Sequence, residues 1–460
     1  MFMDPKSILM ISYYFPPEGS AAVYRSLRFL RGLVKNGWQA TVVVCEPYQY
    51  ERTDQQLLEQ VPTTARIVRV KYRDPWHALQ VWYGRRSKGK FPSSPVGATQ
   101  RPVVGDQRSW RERLHGVVKL IEACVYRPDK FMRWIRPATR EAIEICRRDR
   151  PSVIWTTIGP LSAGVVAYRT WKTTGIPYVL DFRDPWGLDY YPREAMRPTW
   201  ARNVDKRTLS RMFEEARAVV FMFESVAQAY LRAFPALETA KIHILPNGFD
   251  GEVESFIHAP GDRCTVLYAG TLSSYRYDTL LEGLRQLKRR DQARAARLRV
   301  RFIGEGLGDL STRVAALDIQ DLVEIFPPTT SAEIRRCQRE AHALLILGRT
   351  PGRTGHELVA GAKLFGYLQA GRPIVGIVPS DETRRILQQV GSELIAGVED
   401  PEEIADMFEV LLKAWSNRTL DQLIPNRVAC EAYSSSKQVS TLITALAGRP
   451  RADQWQERTL

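Results

Sequence analysis

The stretch Ile8-Leu9-Met10-Ile11-Ser12-Tyr13-Tyr14-Phe15-Pro16-Pro17-Glu18-Gly19-Ser20 decides how this chain is read. A short apolar run followed by a Pro-Pro-Glu-Gly turn suits a first buried strand, Ile8–Tyr14. Val23, Leu27, Leu30 and Val34 then recur at spacings of four, three and four, which is one face of a helix. Asn36-Gly37 closes that helix, because a C-terminus favours a residue that tolerates the left-handed conformation. Ala40–Val44 is the next strand and Arg66–Val70 a third. A strand–helix–strand opening of this kind predicts a parallel sheet.

Working outward, the same alternation continues. Val153–Thr157 reads as a strand, Ser162–Thr173 as a helix ending at Gly175, and Tyr178–Phe182 as another apolar strand. Ala218–Phe223 is expected to be the last strand of this half. Between the third strand and Val153 lie a Gly-, Pro- and Ser-rich segment, Ser87–Asp106, expected as an exposed loop, and two basic helices, Trp110–Val125 and Ala138–Arg148. After Ile242–Pro246 the turn-rich stretch from Asn247 to Arg263 reads as a linker. A second series of strands follows at Thr265–Ala269, Arg299–Ile303, Val323–Phe326, Ala343–Leu347 and Ile374–Val378. Thr330 and Glu333, three apart before an amphipathic run, form a capping box. A last helix is expected at Ser434–Leu446. The predicted organisation is α/β: a Rossmann-like domain over residues 1–246 with a basic insertion at about 72–137, a linker over 247–263, a second Rossmann-like domain over 264–430, and a C-terminal helix and tail over 431–460.

The composition agrees with a two-domain globular chain: 460 residues, 44% hydrophobic and 25% charged. No apolar run is long enough to span a bilayer. Lys6 precedes only a short apolar run, so no secretory leader is expected and a cytoplasmic location follows. Cys45, Cys124, Cys146, Cys264, Cys337 and Cys430 are scattered without zinc spacing, which predicts reduced thiols and no metal site. The net charge of +15 is uneven: residues 66–150 hold 21 Lys or Arg against 8 Asp or Glu, a surplus of 13, interleaved with Trp76, Trp82, Tyr83, Trp110, Phe131 and Trp134. Basic residues mixed with amphipathic aromatics suit an anionic membrane surface, peripherally and on its inner face. No nucleic-acid-binding motif accompanies the charge, so nucleic acid is not the expected partner.

Five motifs stand out, four of them at strand ends, where ligands of open α/β sheets bind. After the first strand, Gly19 and Ser20 allow backbone amides at a helix start to approach a phosphate. At the end of Tyr178–Phe182, Asp181, Arg183 and Asp184 combine a carboxylate that can orient a hydroxyl or act as a base with a guanidinium that can hold an anion. Gly270-Thr271-Leu272-Ser273-Ser274-Tyr275-Arg276 offers Thr271 and Arg276 to a pyrophosphate. Gly304 lies in a further glycine turn. Lys363, on a helix ending at Gly371, adds a second cation for a leaving diphosphate. Among six histidines, His356 alone lies in the Gly-rich stretch from Gly348 to Gly361.

Taken in order, Tyr13-Tyr14-Phe15-Pro16-Pro17, Asp181-Phe182-Arg183-Asp184-Pro185-Trp186, Pro246-Asn247-Gly248-Phe249-Asp250, Tyr268-Ala269-Gly270-Thr271-Leu272, Lys363-Leu364-Phe365 and Ala370-Gly371-Arg372-Pro373 resemble the retaining glycosyltransferases of family 4, particularly their bacterial polysaccharide subgroup. The resemblance runs from Ile8 to about Leu412. It implies a GT-B fold, two Rossmann-like domains facing across a cleft with the C-terminal helix packing back toward the first. It also implies a hexosyltransferase-type enzyme whose donor nucleotide is held mainly by the second domain and whose acceptor is held mainly by the first. The substrate is a nucleotide diphosphate sugar. No cofactor or metal is implied, because Arg276 and Lys363 match the positions that neutralise the diphosphate, and Gly19 matches the loop near the transferred sugar. Two departures stand out. Gly366 occupies the position where the family usually places a Glu on the ribose, and the upstream Glu of the pair falls at Leu358, with Glu357 one residue away. Thr271 stands where many relatives place a phosphate-binding Arg.

The expected function is transfer of a sugar to a hydroxyl acceptor, a saccharide or lipid-linked saccharide, with retention. The leaving phosphate itself helps to deprotonate the acceptor, so no carboxylate nucleophile is required. Two other readings are weighed. A non-catalytic GT-B-fold binding protein would follow from losing the ribose grip at Gly366. A nucleotide-sugar epimerase would need a carboxylate and histidine cluster that the sequence does not show.

Overall fold

A computed structural model describes residues 6–20, 22–47, 50, 53–73, 126–190, 194, 197–272, 275, 277–348 and 359–448. The expected loop Ser87–Asp106 and helix Trp110–Val125 lie outside the described residues. The chain divides into two compact units. One holds the described residues up to Asn247 together with the C-terminal helix, and the other holds Gly248–Ser434.

In the first unit seven parallel strands run in the order β3-β2-β1-β4-β5-β6-β7. They are β1 (Ser7–Ser12), β2 (Gln39–Cys45), β3 (Arg66–Val70), β4 (Val153–Ile158), β5 (Tyr178–Phe182), β6 (Ala218–Phe221) and β7 (Ile242–Ile244). β4, β5 and β6 are buried along their whole length, which is why they read as continuous apolar runs. The helices are α1 (Ala22–Lys35), α2 (Met132–Asp149), α3 (Leu161–Thr174), α4 (Thr199–Glu215) and α5 (Glu224–Ala233). Strand order reverses between β1 and β4, so the C-terminal ends of these two strands frame the unit's switch point.

Two expectations are corrected. Ala218–Phe221 is not the last strand of the half. Ile242–Ile244 adds a seventh that is too short to show a period of its own. The helix expected from Ala138 begins at Met132 and contains Pro137 in its second turn, where the ring removes one hydrogen bond to the carbonyl four residues back.

The C-terminal helix (Ser435–Leu446) packs against α1, as the resemblance implies. Val439, Leu442, Ala445 and Leu446 join Phe29, Leu30 and Leu33 in one core. Gly32 permits this approach, since a Cβ there would stand 2.1 Å from a methyl of Val439.

In the second unit six parallel strands run β10-β9-β8-β11-β12-β13. They are β8 (Cys264–Ala269), β9 (Leu298–Ile303), β10 (Val323–Phe326), β11 (Ala343–Leu347), β12 (Ile374–Ile377) and β13 (Ile395–Ala396). Helices α6 (Asp278–Arg290), α7 (Leu310–Ala316), α8 (Ser331–Glu340), α9 (Lys363–Gln369), α10 (Glu382–Gln389) and α11 (Pro401–Ser416) accompany them. Thr330 accepts the Glu333 amide at 3.2 Å, so the N-terminal half of the expected capping box forms at α8.

His342 stitches the start of β8 to the chain before it. Its Nδ1 accepts the Thr265 amide at 3.0 Å and its Nε2 faces the Ala259 carbonyl at 3.1 Å. Both contacts suit the neutral ring with its proton on Nε2, and burial holds the imidazole below its ordinary pKa of 6.5. The unfolded ring therefore takes up a proton at higher pH than the folded one. The stability this site provides is complete above the unfolded value and is lost as the pH falls below it. Between the unfolded pKa and the lower folded one, we expect wild type to lose up to about 1.4 kcal/mol per pH unit relative to His342→Gln. Denaturant unfolding of both proteins across this range checks it; parallel stability profiles would show that His342 does not titrate on folding.

Candidate functional site

In the first unit the turn after β1 is held from several sides. The Glu18 amide donates to the Phe15 carbonyl at 3.0 Å, and the Asp54 amide donates to the Pro17 carbonyl at 2.6 Å. Arg69 donates to the Pro16 carbonyl at 2.8 Å. Glu18, buried at 5% exposure, accepts the Ser20 hydroxyl at 2.7 Å. The Ser20 oxygen in turn accepts the Ala22 amide at 3.3 Å at the start of α1. Ser20 thus links the turn to the helix end. Gly19 is not demanded by packing, since a Cβ there would lie 3.5 Å from Asp54, at ordinary contact distance.

The Asp-Phe-Arg-Asp motif divides. Asp181 is fully buried and pairs in register with Thr157 and Val220, still inside the sheet. Both of its oxygens accept from Arg25 of α1, at 2.8 and 2.7 Å. Arg25 is itself 2% exposed and also donates to the carbonyls of Leu245 at 2.8 Å and Pro246 at 3.2 Å. The pair therefore ties β5, α1 and the segment after β7 together. Arg25 escaped the sequence reading, which counted only the apolar residues of α1.

Arg183 and Asp184 face outward. Their side chains pair through Nε at 3.0 Å and a second guanidinium nitrogen at 2.8 Å, with exposures of 20% and 27%. Gly159, at the end of β4, makes room for them, because a Cβ there would stand 2.8 Å from the Arg183 guanidinium. Nearby, the buried Asp129 anchors the first turn of α3, accepting the Ser162 amide at 2.7 Å and hydroxyl at 2.6 Å. Burial nevertheless raises its pKa.

In the second unit the β8 and β9 ends converge on Lys363, the first residue of α9. Its ammonium donates to the Tyr268 hydroxyl at 2.7 Å and lies 4.0 Å from the Tyr268 ring centre and 5.2 Å from that of Tyr275. The Tyr268 hydroxyl in turn donates to the Thr271 carbonyl at 2.8 Å. The two glycines are required by shape. A Cβ on Gly270 (φ +129°) would stand 2.4 Å from Lys363 Cε, and one on Gly304 (φ +155°) would stand 2.2 Å from the Gly270 carbonyl oxygen. Leu364, Phe365, Tyr367 and Leu368 bury α9, and Tyr367 accepts the Ala269 amide at 3.1 Å. Gly366 is exposed, and a Cβ there would meet nothing within 4 Å. The structure thus brings Lys363, Gly270, Thr271 and Gly304 together. Arg276, His356, Glu357 and Leu358 lie outside the described residues. Among the described residues no group of His, Cys, Asp and Glu could hold a metal ion, and no helix is long and apolar enough to cross a membrane.

Residues 103–253 match the model described as Glycosyltransferase Family 4, a span that includes β4, β5 and the Arg183–Asp184 pair. A D-inositol 3-phosphate glycosyltransferase of Frankia alni is 28% identical over 163 residues, 33% of this chain. The chain covers 38% of the length of that curated relative. A glycosyltransferase from Rickettsia africae ESF-5 superposes with TM-score 0.58 at 12% identity, over 97% of this chain and 99% of its own. Sucrose-phosphate synthase from Thermosynechococcus elongatus does so with TM-score 0.59 at 13% identity, over 95% and 98%. These likenesses show a shared fold, two parallel Rossmann-like sheets of GT-B architecture. Over residues 103–253 the chain is similar to glycosyltransferase family 4.

Proposed function

We propose that this protein transfers a sugar from a nucleotide diphosphate sugar to a hydroxyl of a saccharide or lipid-linked saccharide, with retention and without a metal ion. The observation that carries this reading is the placement of Lys363. Its ammonium is fixed at the C-terminal ends of β8 and β9 by a tyrosine hydroxyl and two ring faces, with Gly270 clearing its path. A preorganised cation of this kind stabilises a diphosphate most as the sugar–oxygen bond breaks and negative charge develops. Arg276, Thr271 and Gly304 complete the donor side, with His356 and Glu357 as further donor contacts, and Gly19 and Ser20 approach the transferred sugar. Arg183 and Asp184 serve the acceptor side. Asp181 acts through Arg25 as a positioning residue. The enzyme works at the cytoplasmic face of the membrane, where the positive surplus of residues 66–150 favours an anionic surface.

Release of nucleoside diphosphate from a donor sugar, dependent on added acceptor extract and undiminished by EDTA, tests this directly. Loss of turnover with EDTA would overturn the metal-free reading.

Gly366 supports the second reading, a protein that keeps the fold but has lost its nucleotide grip. It lies three residues after Lys363, with open space where a side chain would begin. Gly366→Glu should fit without displacing anything and restore a charged hydrogen bond worth about 1.5–3 kcal/mol, so the nucleotide Kd should fall at least about tenfold. A wild type that binds no nucleotide, alongside a Gly366→Glu variant that does, would favour the non-catalytic reading. An unchanged Kd in the variant would place this helix face away from the ribose.

A further inference from the structure

The outer face of α4 carries exposed apolar and basic side chains in one line. Trp200 is 56% exposed and Val204 41% exposed, and Arg207 and Arg211 are exposed. These residues fall at i, i+4, i+7 and i+11, so they form one stripe of about 16 Å opposite the buried residues Ala201, Asp205, Leu209 and Met212. The stripe is flanked by cations. Arg127 lies 5.4 Å from the centre of the Trp200 ring, and Arg207 and Arg211 stand along the stripe itself. The acidic residue within the stretch does not offset them, because Asp205 points inward and is held by Arg127 at 3.0 Å and Arg197 at 2.6 Å. Glu214 and Glu215 come only at the last turn. The strongly basic segment re-enters the described chain at Tyr126, whose carbonyl accepts from Arg197 just before α4 begins.

We infer that α4 is a docking surface for an anionic phospholipid bilayer, with the helix lying flat on it. This deepens the membrane placement of the proposed function by naming the docking element, and it does not depend on the sugar transfer itself. An indole with a guanidinium beside it suits the boundary between headgroups and acyl chains, where one edge of the ring is wet and the other apolar. Arg207 and Arg211 are spaced along the same line to meet lipid phosphates. Val204, in line with Trp200, contributes to an acyl boundary and nothing to a phosphate backbone, which favours a membrane over a nucleic acid.

The test uses the full chain and vesicles of phosphatidylglycerol with phosphatidylcholine, against vesicles of phosphatidylcholine alone, by sedimentation at low salt. Wild type should sediment with the anionic vesicles and not with the neutral ones, and should be released as salt is raised. Arg207→Glu with Arg211→Glu should weaken binding at least about twentyfold, since each cation near such a surface contributes about a fivefold factor. Trp200→Ser with Val204→Ser should also weaken it, with brominated acyl chains no longer quenching the protein as strongly. The substituted residues are exposed, and matching thermal unfolding of all variants checks that they fold. Absence of wild-type binding, or wild-type affinity in both double variants, would overturn the proposal. Loss in the arginine variant alone would make the face a general anion surface, such as one for nucleic acid, and would also overturn it.

Discussion

Lys363→Ala is expected to lower kcat/KM for the donor by about two to three orders of magnitude, the usual consequence of removing one preorganised group that stabilises developing charge. The structure gives the reason for so large an effect from one side chain. Lys363 does not range freely: the Tyr268 hydroxyl and the Tyr268 and Tyr275 rings hold its ammonium, and the aliphatic part runs over Gly270. Two further variants separate this cause from loss of fold. Lys363→Arg keeps the charge but carries a planar, bulkier head into a space shaped by Gly270, so it should restore activity only in part. Gly270→Ala retains the lysine but places a methyl within 2.4 Å of it, at a φ that side chains rarely adopt, and should reproduce most of the Lys363→Ala loss. Full activity in either Lys363→Ala or Gly270→Ala would remove this cluster from the donor site.

Asp181→Ala is expected to destabilise the first unit by about 3–5 kcal/mol, because it leaves the Arg25 guanidinium buried and uncompensated. Arg25→Met combined with Asp181→Leu should recover most of that stability, since both charges leave the interior together. In the double variant the carbonyls of Leu245 and Pro246 lose their donor, so kcat/KM should remain below wild type with an unchanged pH profile. A catalytic base at Asp181 would give the opposite pattern. Asp181→Ala would then fold with wild-type stability, turn over negligibly, and lose one limb of the pH–rate profile.

The sequence carried the alternation of strands and helices well, because buried parallel strands leave unbroken apolar runs and Asn36-Gly37 and Gly175 mark helix ends with a residue whose backbone needs are visible in one letter. It carried the short elements poorly. β7 is three residues long, too short for any alternation to repeat. The site was legible as a set of loops and not as a set of orientations. Every residue of β5 is buried, so no polar alternation tells that Asp181 points into the unit while Arg183 and Asp184 point out. The partner of Asp181 lies 156 residues earlier, a relation that only the fold supplies. Lys363 was visible as a lone helix cation. Its aromatic support was not, because Tyr268 and Tyr275 are brought to it from β8 and the loop that follows.

Isothermal titration of the purified protein, with EDTA present, against UDP, GDP and ADP tests the central claim most directly. The account predicts saturable binding of one of the three, weakened strongly by Lys363→Ala. Absence of binding to all three, or binding that Lys363→Ala leaves unchanged, would contradict it.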